Sequence, residues 1–282
     1  MIEIKGNLFI VATPIGNLKD ITTRAIETLK EVDIIAAEDT RHTRKLLNHF
    51  NISTPLTSYF EHNKRAKGEN LLQKLNEGKN IALVSDAGMP AISDPGEDLV
   101  QLCIENEIDF TVIPGATAFS TALVLSGLST KNFYFVGFLD VKKTARRKTL
   151  ESLKSQPATL IFYEAPHKLL RTLEDMLSVF GDRNIAVCRE LTKKFEQVIR
   201  APISSIIAQF NEVKPIGEIV IVVQGAPNCE TTVFEETAAQ AVELLMQNSK
   251  MDKKTAIAQV ALQRNIPKRD VYNEFEKEKG GK

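Results

Sequence analysis

A chain of 282 residues, 43% of them hydrophobic, can bury about two cores of ordinary size. Lys+Arg and Asp+Glu both total 36, so no net field draws the whole chain toward nucleic acid, and a polyanion must be met by a local patch. Cys103, Cys188 and Cys229 are too few and too scattered for a disulfide framework and read as small buried hydrophobes of a reducing compartment; with no signal-peptide pattern and no apolar run of membrane-spanning length, the expected location is cytoplasmic.

Leu8 to Ala12 reads as a strand, Thr13 to Asn17 as a tight loop, and Asp20 or Thr22 as the cap of a helix through Leu29. Val32 to Ala37 is a second strand. Beyond it Arg41, Arg44 and Lys45 fall at i, i+3, i+4 spacing on a helix, which makes a basic face able to take phosphates; a solvated helix side capped by Asp39 or Thr40 gives the same pattern. Ile81 to Val84 is apolar enough for burial on both faces, as in a parallel sheet. It breaks into the loop SDAGMPAISDPG (85–96), where Gly88 and Gly96 permit positive φ, and Asp94 and Pro95 suit the N-cap and first turn of a helix near Glu97. Such a loop is long for a strand-to-helix connection. Phe110 to Ile113 repeats the grammar, with Pro114-Gly115-Ala116-Thr117-Ala118 and an apolar helix to Ser126. Right-handed crossovers between parallel strands put all three small-residue loops on one rim, which suggests a pocket. None of them is GxGxxG or GxxxxGK[ST], so a phosphate-dominated ligand is not indicated.

Gly127 to Lys131 is a natural junction. Asn132 to Phe138, Ala158 to Tyr163, Asn184 to Cys188 and Ile216 to Val223 read as strands of a second lobe, and a cleft between lobes is a common ligand site. Lys142, Lys143, Arg146, Arg147 and Lys148 form the densest basic run, the best footprint for RNA. After residues 224–228 the pattern turns helical: Ala238 to Gln247, Asp252 to Arg264 and Lys268 to Lys277, with a turn at 264–267. The last two resemble a helix-turn-helix, which is also the pattern of a small packed bundle. His42, His49, His62 and His167 have no metal-ligand spacing, so no metal is expected.

Read together, VATPIGNLKDIT (11–22), AAEDTRHTRKLL (36–47), SDAGMPAISDPG (85–96), VIPGATA (112–118), FYEAPHK (162–168) and RELTKKFE (189–196) resemble, in order, the bacterial 16S rRNA (cytidine) 2'-O-methyltransferases of the tetrapyrrole methylase superfamily. The resemblance covers roughly the first 225 residues. It implies an α/β fold of two lobes, 1–128 and 129–227, with the cofactor cleft between them, and a small helical domain over 228–282. It further implies S-adenosylmethionine (S-adenosyl-L-methionine) as cofactor, a ribose hydroxyl of small-subunit rRNA near the decoding site as acceptor, and a homodimer. Two positions depart from the family pattern: Asp140 stands where a proline usually follows, and Lys168 replaces the arginine after Pro-His.

For the cofactor the resemblance points to Pro14, Ser85, Asp86, Gly88, Ile92, Ala116 and Thr117 on the three loops, with Tyr163, Leu191 and Gly217 from the second lobe; each of the last three, Leu191 above all, is also a packing position. Asp86 could accept a hydrogen bond from the ligand or favour its positive charge. Methyl transfer from a sulfonium is an in-line displacement, and the hydroxyl proton needs an acceptor. Glu164, His167, Glu190 and Lys193 are the candidates, unranked. Glu190 with Lys193 is equally an i, i+3 ion pair, and Glu164 a turn residue before Ala165-Pro166. Two other functions share the pattern: a small-molecule, tetrapyrrole-type C-methyltransferase on the same fold, and a noncatalytic RNA-binding or ribosome-assembly protein. The EDTR segment, the basic run and the helical tail favour RNA over a porphyrin-like ligand.

Overall fold

Short runs of Ile, Val, Leu and Ala alternate with amphipathic helices through the first half of the chain, and the result is a parallel sheet covered on both faces. A computed structural model describes residues 5–227, 236–249, 251–264 and 266–279, so Cys229 and Asn265 lie outside the described residues. The first sheet contains β1 (Leu8–Val11), β2 (Ile34–Ala37), β3 (Leu56–Ser58), β4 (Ile81–Val84) and β5 (Phe110–Ile113) in the order β3-β2-β4-β1-β5. All its pairings are parallel, with Leu8 opposite Ile81 on one side and Phe110 on the other. Strand period two divides the side chains between the faces. Leu8, Ile10 and Leu83 pack with α3 (Lys64–Asn76) and α4 (Glu97–Glu105), while Val11, Ala82 and Val84 pack with α1 (Thr23–Glu31) and α2 (Thr40–His49). β3, three residues long, escapes sequence reading because a partly buried Leu-Thr-Ser carries no period to read.

The chain moves outward from β1 through β2 to β3, then returns through β4 and crosses to β5. The strand order therefore reverses between β1 and β4, where open α/β sheets form their ligand crevice. Two caps fall as expected and one does not. Thr22 and Asp39 accept the Ala25 and Arg41 amides, but α4 is capped by Gly96 at φ 147° with no side-chain bond, so Asp94 is not the N-cap. A positive-φ backbone at Gly96 already turns the chain into the helix, which leaves the Asp94 carboxylate for other partners.

The second sheet is mixed. β6 (Phe133–Phe138) runs parallel to β7 (Thr159–Glu164), and β10 (Ile219–Val223), β8 (Asn184–Arg189) and β9 (Gln197–Pro202) complete the order β6-β7-β10-β8-β9 through antiparallel pairings. The last strand begins at Ile219 rather than Ile216, because Gly217 turns at φ 86° just before it. α6 (Lys143–Leu153), α7 (Leu169–Phe180) and α8 (Ile203–Glu212) cover one face through Leu150, Leu173, Met176 and Ile206. The other face is covered by α5 (Ala118–Ser126), whose Ala122 and Leu123 pack on Ile161, Ala186, Cys188 and Val222. α5 precedes the expected junction in sequence yet completes the second lobe. Arg200 of β9 holds its end by donating to the Leu125 and Ser126 carbonyls at 3.1 and 3.2 Å. Residues up to Ala226 accordingly form one compact unit.

The remaining unit, from Pro227, is helical: α9 (Ala238–Ser249), α10 (Lys253–Arg264) and α11 (Lys268–Lys279) close on Val242, Ile257, Val260, Val271 and Phe275. Asp252 caps α10, accepting the Lys254 and Thr255 amides at 3.0 and 3.1 Å. Among the described residues no helix is long and apolar enough to cross a membrane.

Candidate active site

The loops after β1 and β4 meet where the strand order reverses. Thr13 and Gly88 exchange backbone hydrogen bonds of 2.8 and 3.1 Å, closing the crevice floor. The β4 loop is held in an unusual shape: Gly88 lies at φ 84°, and Ala91 and Ser93 at 67° and 65°, where a side chain costs about 1 kcal/mol or more. Several such residues in one loop mark a site whose shape is imposed by its surroundings. A β-bulge at Gly137, φ 75°, lets β6 pass close to Ser93, where an added Cβ would stand 3.2 Å from Oγ. First-lobe loop and second-lobe strand thus share one wall.

Between them is a cavity of about 430 Å³, within the size range of small-molecule sites. Asp86, Gly88, Ile92, Thr117, Tyr163, Leu191 and Gly217 line it, seven of the ten residues expected at the cofactor. Pro14 and Ser85 line an adjoining cavity of about 460 Å³, and Ala116 lines neither, packing instead with the apolar cluster under α5. The two cavities share Ile15, Asp86, Ala87 and Glu218.

The first cavity is acidic. Glu38, Asp86, Asp94, Glu164 and Glu218 line it, and among the described residues no basic side chain does. Burial, then the Glu38 and Asp86 charges, push the Asp94 carboxyl up to about 6 against the pull of the Ser85 hydroxyl. Burial and the charge of Asp86 also raise Glu38. Asp86 Oδ1 accepts the Asp39 amide at 3.1 Å, which ties the EDTR segment to the crevice. The remaining wall is aromatic: Phe138 and Phe135 stand edge-on to Tyr163 at 5.5 and 5.0 Å between ring centres, and burial pushes the Tyr163 hydroxyl up to about 12. A ligand that carries positive charge and a flat apolar group fits such a lining; S-adenosylmethionine, with its sulfonium, ammonium and adenine, has both. Among the described residues no group of three or more His, Cys, Asp or Glu is arranged to hold a metal ion.

The four candidate proton acceptors separate. Glu164 is buried at the cavity wall, accepting the Ala165 amide at 2.8 Å and the Thr172 hydroxyl at 2.6 Å. Lys193 lines the second cavity, its ammonium 3.0 Å from Glu190 and 2.9 Å from Glu218; burial lowers its pKa, but those two bonds raise it further. Glu190 lines neither cavity. The Glu218 amide, donating at 2.9 Å, holds its carboxyl below the usual range, and its side chain fills the space where a Cβ of Gly217 would stand, 2.3 Å from Oε1. His167 is exposed on a single turn of 3-10 helix and lines neither.

The expected RNA residues also divide. Lys45 lines the second cavity, while Arg41 pairs with Asp39 at 2.9 Å on the surface and Arg44 is exposed. Lys142 and Lys143 open α6 in solvent, and the Lys142 amide donates to Asp140 at 2.6 Å, so Asp140 supplies the turn that a proline would otherwise shape. Arg147 donates to Ser178 at 3.1 Å. Arg146 does not belong to an exposed basic face: it is 4% exposed, binds Asp175 at 2.6 and 2.8 Å, and donates to the carbonyls of Asp140 and Val141. Helical geometry explains this, because positions 146, 150 and 153 form the buried stripe of α6.

Glu38, Asp94, Glu218, Phe119 and Phe138 of the first cavity, and His42 and Thr43 of the second, are site residues that sequence reading does not single out. Glu38, His42, Thr43 and Asp94 lie inside the quoted motifs, and that position is the available signal. Phe138 and Glu218 carry none, since only the sheet register brings them to the crevice.

Residues 7–207 match the family of Tetrapyrrole (Corrin/Porphyrin) Methylases. The chain is 51% identical over 280 residues to a protein named ribosomal RNA small subunit methyltransferase I of Halalkalibacterium halodurans, covering 97% of this chain and 96% of that one. To the protein of the same name in Bacillus subtilis it is 49% identical over 282 residues, with coverages of 96% and 94%. Among solved structures it is similar to uroporphyrin-III C-methyltransferase of Thermus thermophilus, at a TM-score of 0.57 and 19% identity over 77% of this chain and 94% of that one, and to the methyltransferase CobJ, at 0.59 and 18% over 78% and 95%. Those two likenesses bear on the fold alone.

Proposed function

This chain belongs to the tetrapyrrole methylase family, and on that premise we propose that it transfers the methyl group of S-adenosylmethionine to the 2'-oxygen of a cytidine in 16S rRNA of the small ribosomal subunit, near the decoding site. The observation that carries this reading is the pairing of an acidic, aromatic-walled cavity at the strand-order reversal with near-full-length similarity to relatives named for small-subunit rRNA methylation. When bound, the cofactor supplies an electrophilic methyl group on a sulfonium. Asp86, Glu38 and Asp94 favour its positive charge, and Tyr163, Phe138 and Ile92 cover its apolar parts. Methyl transfer would form an oxygen–methyl bond as the sulfur–methyl bond breaks, and the chain's own contribution would be to hold the acceptor oxygen in line, which supplies much of the rate of such a displacement.

The released hydroxyl proton needs an acceptor on the wall common to both cavities, where Asp86 and Glu218 stand. Glu164, held by Thr172 and the Ala165 amide, is a fixed acceptor in the wall, and Lys193 with Glu190 is the strut that positions Glu218. The protein works in the cytoplasm as a homodimer: edge strands β5 and β6 expose Phe110, Val112, Phe133 and Tyr134, apolar surface that a second copy would cover.

Tritiated methyl transfer to small subunits that lack the modification tests the activity, with label expected on a cytidine 2'-oxygen. Cofactor binding without label on subunits or naked rRNA would overturn it in favour of a small-molecule C-methyltransferase. Sedimentation tests the homodimer, with a monomer as the opposing outcome.

A further inference from the structure

α11 carries four acidic and four basic residues, yet it places the two signs differently. Glu274 Oε1 accepts the Ala238 amide at 2.9 Å and Glu278 Oε1 the Thr237 hydroxyl at 3.1 Å, both at the start of α9, and Glu276 pairs with Lys253 at the start of α10. Three of the four acids are thus held by partners inside the helical unit. Lys268, Arg269 and Lys277 stand in solvent, Arg269 with its side chain 86% exposed and 3.7 Å from Asp270. Tyr272, 47% exposed, and Asn273 follow Arg269 by three and four residues and share its outward face. The Lys253 ammonium lies 4.9 Å from the centre of the Tyr272 ring and holds it at the surface. α10 and α11 are joined by a short turn and close on Val260, Ala261, Val271 and Phe275, the form of a helix-turn-helix, whose second helix meets nucleic acid with the residues of its first turns.

An independent observation separates this unit from the chemistry. The protein named ribosomal RNA small subunit methyltransferase I of Thermotoga maritima is 47% identical to this chain over 220 residues, which cover 99% of that chain and 78% of this one. That match has room for the unit ending at Ala226 and not for the helical unit as well. We propose that the helical unit is an RNA-docking module, separable from the methyl-transfer unit, which grips a looped or bulged segment of small-subunit rRNA with α11: Lys268, Arg269 and Lys277 on phosphates, Tyr272 stacked on an unpaired base, and Asn273 on a base edge. The module rests on the methyl-transfer reading for its partner and contributes affinity, not chemistry. Outward cations beside a held aromatic ring favour RNA over a protein partner. A loop is favoured over a duplex because the major groove of A-form RNA is too narrow for a helix's side chains to read.

The test compares the parent, a chain ending at Ala226, and two full-chain variants, Lys268→Ala with Arg269→Ala, and Tyr272→Leu. Cofactor affinity is read by calorimetry, naked 16S rRNA binding across a salt series, and methyl transfer on unmodified small subunits. Ending the chain at Ala226 should raise the KM for subunits about tenfold and leave kcat and cofactor affinity unchanged. The paired charge variant should lower the slope of log rRNA affinity against log salt by about 1.4, two single-strand phosphate contacts. Tyr272→Leu should weaken rRNA binding about five- to tenfold with the slope unchanged. Unchanged KM, rRNA affinity and slope in all three would overturn the module. A raised KM for subunits with naked rRNA binding intact would assign the unit to a ribosomal protein and overturn RNA as its partner. Loss of cofactor affinity on shortening would overturn its separability. Weakened rRNA binding in the variants of a parent that transfers no methyl would uphold the module and overturn the methyl-transfer reading.

Discussion

In the first lobe the ligand walls are made of backbone: the loop after β4 passes Gly88, Ala91, Ser93 and Gly96 at positive φ, and its Asp86 and Asp94 stand half-buried beside Glu38 from the end of β2. In the second lobe they are side chains fixed by partners, with Tyr163 braced by two phenylalanines, Glu164 by Thr172, and Glu218 by Lys193. Parallel strands ending on one rim deliver loops, so chain conformation does the shaping there. A mixed sheet sends alternate strands in opposite directions, so its contribution comes from whichever side chains the register leaves at the crevice. One lobe stores strain and charge; the other supplies rigidity.

Removing a brace from the second lobe should therefore cost the most. Arg146 and Asp175 are buried at 5% and 7% side-chain exposure, and removing one partner of such a pair strands the other's charge. Arg146→Ala is expected to lower unfolding stability by about 3–5 kcal/mol, measured by denaturant titration. Arg146→Met with Asp175→Leu should recover most of it, because two apolar groups leave no buried charge. The double variant also checks the side chain's role: its 16S rRNA binding should keep the parent's salt slope. A reduced slope would return Arg146 to the RNA surface.

Gly217 probes the joint between backbone shape and side-chain brace. Its φ is 86°, and a Cβ would stand 2.3 Å from Glu190 Oε1, the atom that also takes the Glu218 amide and Lys193. Gly217→Ala should cost about 1–3 kcal/mol through the φ penalty and the displaced carboxylate, and weaken cofactor binding more than tenfold as Glu218 loses its strut. Calorimetry and thermal melts read the two effects. Stability loss with unchanged cofactor affinity would show that the Glu190 strut serves folding alone.

The same contrast decides what was legible. Ile81–Val84 and the three small-residue loops are local patterns, and the parallel sheet with its crevice follows from them. Leu56–Ser58 and Gln197–Pro202 have no period strong enough to read as strands, and Phe138 and Glu218 reach the cavity only through pairings with distant strands. Arg146 looked like its basic neighbours because charge runs are read along the chain, whereas a helix distributes them around its axis. Asp-Pro before a helix is a capping signal, so Asp94 reads as the cap, whereas Gly96 fills that role in the fold.

Asp94 gives the smallest expected effect and the sharpest test of strain in the first lobe. A carboxyl moved from an ordinary 3.8 to about 6 binds more protons folded than unfolded between those values, so stability falls as pH rises from about 4 to 6 and stays lowered above. Asp94→Asn removes that loss. Allowing for the solvent that still reaches the group, it should stabilise the free protein by about 1 kcal/mol at pH 7.5 and by almost nothing at pH 4, read as a thermal-midpoint difference between the two conditions. On the proposed reading cofactor affinity should move the opposite way, falling about tenfold at pH 7.5, because a carboxylate that destabilises the free protein would meet the ligand's positive charge. An equal gain at both pH values would trace the stabilisation to packing rather than charge. A gain at pH 7.5 without loss of cofactor affinity would place Asp94 outside the ligand's reach and leave Asp86 and Glu38 as the charges that matter.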